Sequence, residues 1–141
     1  GEPDTYSMYA SENLGISGHH PDGSFPRLRR FRIRKDGMVS LRGGPSGAEL
    51  LTKRLVFSGA QLTVNYNAQL GDGGSLRVEI VDESCKAVPG LTVADADPLT
   101  GNATDQIVTW KGSRDVSKLA GKEIHLRFVL EDTDLFSFKF D

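Results

Sequence analysis

Sixteen glycines break this 141-residue chain into short stretches, and between them apolar and polar residues alternate one by one. A period of two is the mark of half-buried β-strands, and no stretch carries the three-to-four-residue apolar spacing of a packed helix. The chain therefore reads as all-β. The clearest strand covers residues 75–81, with Leu76, Val78 and Ile80 on one side and Arg77 and Glu79 on the other. Residues 122–131 repeat the pattern, with Ile124, Leu126, Phe128 and Leu130 opposed to His125, Arg127 and Val129. Residues 135–140 follow and offer Phe136, Phe138 and Phe140 as an inward row, so the two segments read as a closing hairpin.

Residues 61–67 set Leu62, Val64 and Tyr66 against Thr63 and Asn65 and run into Gly71-Asp72-Gly73-Gly74, which reads as a second hairpin turn. Residues 29–34 and 38–42 flank Lys35-Asp36-Gly37. An Asp-Gly pair between alternating segments signals a third hairpin, because both residues tolerate positive φ. Residues 50–57 and 106–111 bring the expected total to eight or nine strands, with a short helical turn near residues 113–119. An antiparallel chain of this length closes most economically as a two-sheet, jelly-roll-like β-sandwich. Residues 1–26 carry glycines and prolines with little periodicity and read as a linker or wrapping segment, leaving residues 27–141 as the sandwich domain.

Charge and cysteine content narrow the function. Seventeen basic against nineteen acidic side chains give a net charge of -2, so no whole-molecule field points to nucleic acid. No apolar run approaches the roughly 20 residues that cross a bilayer, so no membrane partner is expected. Cys85 is the single cysteine, which excludes an internal disulfide and a cysteine-built zinc site.

Several motifs in order resemble a known module: Arg29-Arg30-Phe31-Arg32-Ile33-Arg34-Lys35-Asp36-Gly37-Met38-Val39-Ser40-Leu41, then Leu51-Thr52-Lys53, Phe57-Ser58-Gly59 and Leu62-Thr63-Val64-Asn65-Tyr66. Gly74-Ser75-Leu76-Arg77-Val78-Glu79-Ile80, Pro89-Gly90-Leu91, Val108-Thr109-Trp110-Lys111-Gly112, Leu119-Ala120-Gly121-Lys122, Leu126-Arg127-Phe128 and Asp134-Leu135-Phe136-Ser137-Phe138 continue it. From about residue 27 to 140 the chain resembles the C-terminal β-sandwich accessory module of bacterial glycoside-hydrolase-like proteins, which sits behind a five-bladed propeller of the invertase and arabinanase type. The resemblance implies a concanavalin-like or galactose-binding-like sandwich in a secreted or periplasmic protein, with the catalytic domain of the same parent chain as a partner. Phe136 stands where that family often has Tyr, and His125 where it often has Arg or another residue.

Sugar recognition needs flat aromatic faces and planar polar groups that grip neighbouring hydroxyls. Trp110 is the sole indole. Asn65, Arg77, Glu79, His125 and Arg127 are polar members of alternating strands and would line a groove if those strands were neighbours; the other reading is an ordinary solvated face with cross-strand Arg–Glu pairs. Arg30, Arg32 and Arg34 fall in a row on one strand, suited to the oxyanions of an acidic polysaccharide, to an acidic docking domain, or to protecting an edge strand. Asp95, Asp97 and Asp105, with Asn102, supply oxygens for a structural calcium; the adjacent His19 and His20 are a weaker transition-metal pair. No nucleophile elbow, zinc-binding helix or phosphate loop occurs, and no spacing singles out a carboxylate pair, so an enzyme is not expected. The leading expectation is a noncatalytic carbohydrate-binding module that holds polysaccharide or oligosaccharide near a catalytic domain. Its rival is a structural sandwich that packs against that domain and stabilises it without binding sugar.

Overall fold

The computed structural model describes residues 4–13, 26–70 and 73–141, and the chain divides into two compact units, 1–38 and 39–141. In the first unit β1 (Thr5–Glu12) and β2 (Arg27–Arg34) form an antiparallel hairpin, in register from Thr5 opposite Arg34 to Glu12 opposite Arg27. Alternation places Tyr6, Met8, Phe31 and Ile33 on one face, and Arg30, Arg32 and Arg34 with Ser7 and Tyr9 on the other. Residues 5–12, expected within a linker or wrapping segment over residues 1–26, thus form a strand, and the unit boundary falls after Met38. Tyr9, between Met8 and Ala10, blurs the period of β1 and hides it from a reading by hydrophobicity. Residues 29–34 pair upstream and not with residues 38–42; Asp36 does take a positive φ of 50°, in a turn that ends the ladder. His19 and His20, and Gly71 and Asp72, lie outside the described residues.

The second unit is an all-β, two-sheet antiparallel sandwich. Its elements are β3 (Leu41–Gly43), β4 (Ala48–Leu51), β5 (Leu62–Ala68), β6 (Ser75–Asp82), β7 (Gly101–Ile107), a 3-10 turn (Ser117–Leu119), β8 (Ile124–Glu131) and β9 (Thr133–Phe140). One sheet has the order β3-β9-β5-β7 and the other β4-β8-β6, with every ladder antiparallel. Each strand lies in the opposite sheet from the one before it, which is jelly-roll connectivity. That alternation overturns two expected hairpins. β5 and β6 are in different sheets, and so are β8 and β9.

The β8–β9 corner shows why. Asp132 adopts a left-handed φ of 40°, and the fully buried Thr133 hydroxyl lies 2.6 Å from the Glu131 carbonyl and 3.0 Å from that of Ser75. These contacts turn the chain across to the other sheet, so that both strands point their apolar sides into the same core.

The core holds Leu62, Val64, Tyr66 and Leu135 from one sheet against Leu76, Val78, Ile80, Ile124, Leu126, Phe128 and Leu130 from the other. Fully burying such a side chain contributes about 1.5–3 kcal/mol, and with Cys85 exposed and unpaired this packing holds the unit together. On β9 the inward row differs from expectation. The register against β5 passes from Asn65–Ser137 to Tyr66–Leu135, so Phe136 is an inserted residue and the inward series runs Phe140, Phe138, Leu135. Phe140 stacks on Phe57, with ring centres 3.8 Å apart, and Phe138 meets Phe128 at 5.4 Å.

Candidate functional site

The outer face of the β4-β8-β6 sheet gathers four of the residues picked out in the sequence. β6 pairs with β8 so that Arg77 faces Val129, Glu79 faces Arg127 and Val81 faces His125. The guanidinium of Arg127 then spends itself inside the protein. Its Nε and Nη2 donate to the two carboxylate oxygens of Glu49, at 3.1 and 2.7 Å, and its Nη1 donates to Glu79 Oε1 at 3.2 Å. The second oxygen of Glu79, a residue only 7% exposed, accepts the backbone N–H of Val93 at 2.9 Å. The Arg127 hydrogen bond pulls the Glu49 carboxyl below the ordinary carboxylate range. This is a cross-strand acid–base–acid row whose planar groups are already paired with one another. His125 Nδ1 lies 2.9 Å from the Thr52 carbonyl, which leaves Nε2 as the nitrogen directed elsewhere.

Trp110 is corrected as a sugar platform. It is 2% exposed, and its indole N–H donates to the Val78 carbonyl at 2.8 Å; a buried indole finds a fixed acceptor and offers no face to a ligand. Asn65 is also separated from the other candidates. It lies on β5, in the opposite sheet, and is 3% exposed. Both neighbouring strands carry an irregularity beside it, since the β5–β7 register also shifts between Val64 and Tyr66.

The calcium set does not assemble. Asp95 bonds the Thr92 hydroxyl and pairs with Lys111, and Lys111 first and Thr92 next hold its carboxyl low. Asp97 accepts from the Thr109 hydroxyl at 2.6 Å and the Gly112 N–H at 2.9 Å, which lower its pKa in that order. Asp105 is on β7 and pairs with Lys139 on β9 at 3.1 Å. The acids serve loop closure and a strand pair, and among the described residues no three His, Cys, Asp or Glu side chains gather as a metal site.

Arg30, Arg32 and Arg34 do form a row, on the face of the hairpin opposite Tyr6, Met8 and Phe31. Arg30 donates to the Ser7 hydroxyl from Nε and Nη2, at 3.0 and 2.7 Å.

A surface that sequence reasoning missed lies where β3 and β4 edge the two sheets. Val39, Leu41, Leu50, Leu135 and Phe138 line an open apolar groove of about 410 Å³. Its signal was the cluster Met38-Val39-Ser40-Leu41, which reads as a strand of a hairpin but leaves Val39 80% exposed. Beside the groove, Arg42 grips Asp134 with Nε and Nη2 at 3.0 and 2.7 Å, and the Ser40 hydroxyl adds a bond at 3.2 Å. The Arg42 hydrogen bond holds the buried Asp134 carboxyl below its ordinary range. A carboxyl depressed by folding stabilises the native state fully above its unfolded pKa, near 3.9, and loses that contribution as pH falls through the depressed value. Arg42→Gln is therefore expected to raise the pH at which the sandwich acid-unfolds, as followed by far-ultraviolet circular dichroism. An unchanged acid midpoint would show the pair to be energetically silent.

Compared with family models, with curated proteins and with solved structures, the chain matches none of them.

Proposed function

We propose that the sandwich is a noncatalytic structural module, which packs through the apolar groove against a larger domain of the same parent chain and stabilises it. The family resemblance supplies the identity of that domain, a catalytic β-propeller of a secreted bacterial glycoside hydrolase. The observation that carries this reading is the contrast between two surfaces. The polar groups that would read a sugar are paired among themselves in the Glu49–Arg127–Glu79 row, with Trp110 buried. The groove lined by Val39, Leu41, Leu50, Leu135 and Phe138 leaves apolar side chains open to solvent, the mark of an interaction surface.

Val39→Asp with Leu41→Asp tests the proposal. Both positions are exposed, so the isolated module should keep its stability to within about 0.5 kcal/mol. In the parent protein the same double variant should free the module to move apart from its neighbour, read as new protease cleavage between them and a lowered thermal midpoint of the catalytic domain. A parent protein that behaves as wild type in both assays would sink the docking role.

A second reading, a carbohydrate-binding module, is favoured by Arg77, which makes no ion pair among the described residues and stands on the same sheet face as His125. Retention on a panel of neutral and sulfated polysaccharides, lost in Arg77→Ala, would select it over docking.

A further inference from the structure

We infer that the β1–β2 hairpin is two strands of a larger sheet, and that the free edge of β1 receives a third strand from an adjoining domain, one that alternates apolar and acidic side chains. The choice of that domain rests on the docking role proposed above; the strand addition rests on the hairpin itself. An isolated two-stranded hairpin is marginal in water. This one runs eight residues on each side and exposes Tyr6, Met8 and Phe31 on one face and Tyr9 and Leu28 on the other.

The two edges are not equivalent. β2 carries Arg27, Arg29, Arg30, Arg32 and Arg34, the charge that blunts an edge against pairing, whereas β1 has neither a basic residue nor a proline and a single acid, Glu12, at its end. Glu12 is already shared by Arg27 and Arg29, each at 2.9 Å. Among the described residues β1 is thus the edge left open.

The ladder phase tells which amides await a partner. The Lys35 N–H donates to the Asp4 carbonyl at 2.9 Å, and Asp4 and Lys35 continue the register of the hairpin. In an antiparallel ladder hydrogen-bonded pairs alternate with non-bonded ones. Tyr6, Met8 and Ala10 therefore bond across to β2, and the N–H groups of Ser7, Tyr9 and Ser11 point out along the open edge.

Charge sets the chemistry of the incoming strand. No carboxylate of either strand stands on the arginine face, and the Arg30 guanidinium reaches over β1 to Ser7. That places a cation about one strand spacing, roughly 4.8 Å, from the position of a third strand. Acidic side chains there meet Arg30, and the intervening apolar ones extend the Tyr6, Met8 and Phe31 face.

Residue-resolved hydrogen exchange on the 141-residue chain alone and on the parent protein with its adjoining domain tests this. Alone, Ser7 and Tyr9 should exchange at nearly the unprotected rate while Met8 and Ala10 are slower; in the parent, Ser7 and Tyr9 should slow by about a hundredfold or more. Ser7→Pro removes an edge donor without touching the backbone bonds to β2, and should abolish the added protection at Tyr9 while Met8 and Ala10 keep theirs; Ser7→Ala, which loses only the hydroxyl that Arg30 holds, should leave that protection in place. Fast exchange of Ser7 and Tyr9 in the parent overturns the inference. So does concentration-dependent protection of the chain alone, which would make a second copy the occupant. The Val39→Asp and Leu41→Asp variant separates the two proposals: if it leaves the parent unaffected while Ser7 and Tyr9 stay protected, groove docking fails and strand addition stands.

Discussion

Trp110→Ala is expected to be among the most damaging single changes in the sandwich, at about 3–5 kcal/mol. The side chain is 2% exposed, lies in the core cluster with Val78 and Ile80, and donates its indole N–H to the Val78 carbonyl across that core. Truncation leaves a cavity too deep for the sheets to close and orphans a buried acceptor. A unit of this size shifts its thermal midpoint by about 4–8 °C per kcal/mol, so a fall on the order of 15–30 °C should appear in thermal unfolding followed by circular dichroism. Trp110→Phe keeps most of the volume and removes only the donor, and should cost about 1–3 kcal/mol. A small effect from the alanine variant would return Trp110 to the surface as a ligand platform, and the docking argument would lose one of its supports.

Gly74→Ala should approach the same severity for a different reason. A Cβ at Gly74 would meet three backbone carbonyl oxygens, those of Asp132 at 2.5 Å, Ala68 at 2.6 Å and Glu131 at 3.0 Å. No side chain can swing away, so the whole corner where β5, β6, β8 and β9 converge must shift. Overpacking in a tight site costs about 1–3 kcal/mol and occasionally more, and here the upper end is expected. Gly44→Ala is the matched control, because its Cβ would meet nothing within 4 Å. Urea unfolding of the two variants should separate them by at least about 2 kcal/mol. Equal midpoints would show that the corner is loose.

The same corner marks the limit of what alternation can reveal. Leu76, Val78 and Ile80 and the row from Ile124 to Leu130 are inward as the pattern of two demands, since facing is a property of consecutive residues. The Arg30, Arg32 and Arg34 row was legible on the same ground. Which strand lies beside which was not. A turn sequence such as Asp132-Thr133-Asp134 looks like a hairpin locally, yet its bonds to Ser75 and Glu131 send β9 to the other sheet. The insertion of Phe136 and the shift at Asn65 likewise depend on the register of a neighbour, which no single strand encodes.

The candidate site divides along the same line. That Arg77, Glu79, His125 and Arg127 share one face follows from their parity once β6 and β8 are paired. Whether their charges are free or spent depends on Glu49, which lies 78 residues from Arg127 in sequence, and on the Val93 amide that closes over Glu79. The amino-acid order by itself thus determined an all-β sandwich, the inward rows of β6 and β8 and the row of Arg30, Arg32 and Arg34, because these are local periodicities. Only the tertiary structure decided the crossing of strands between sheets, the burial of Trp110, the internal use of the acidic residues and the opening of the apolar groove. Each of those results from segments distant in the chain competing for the same partners, and that competition is settled only when the two sheets close on one core.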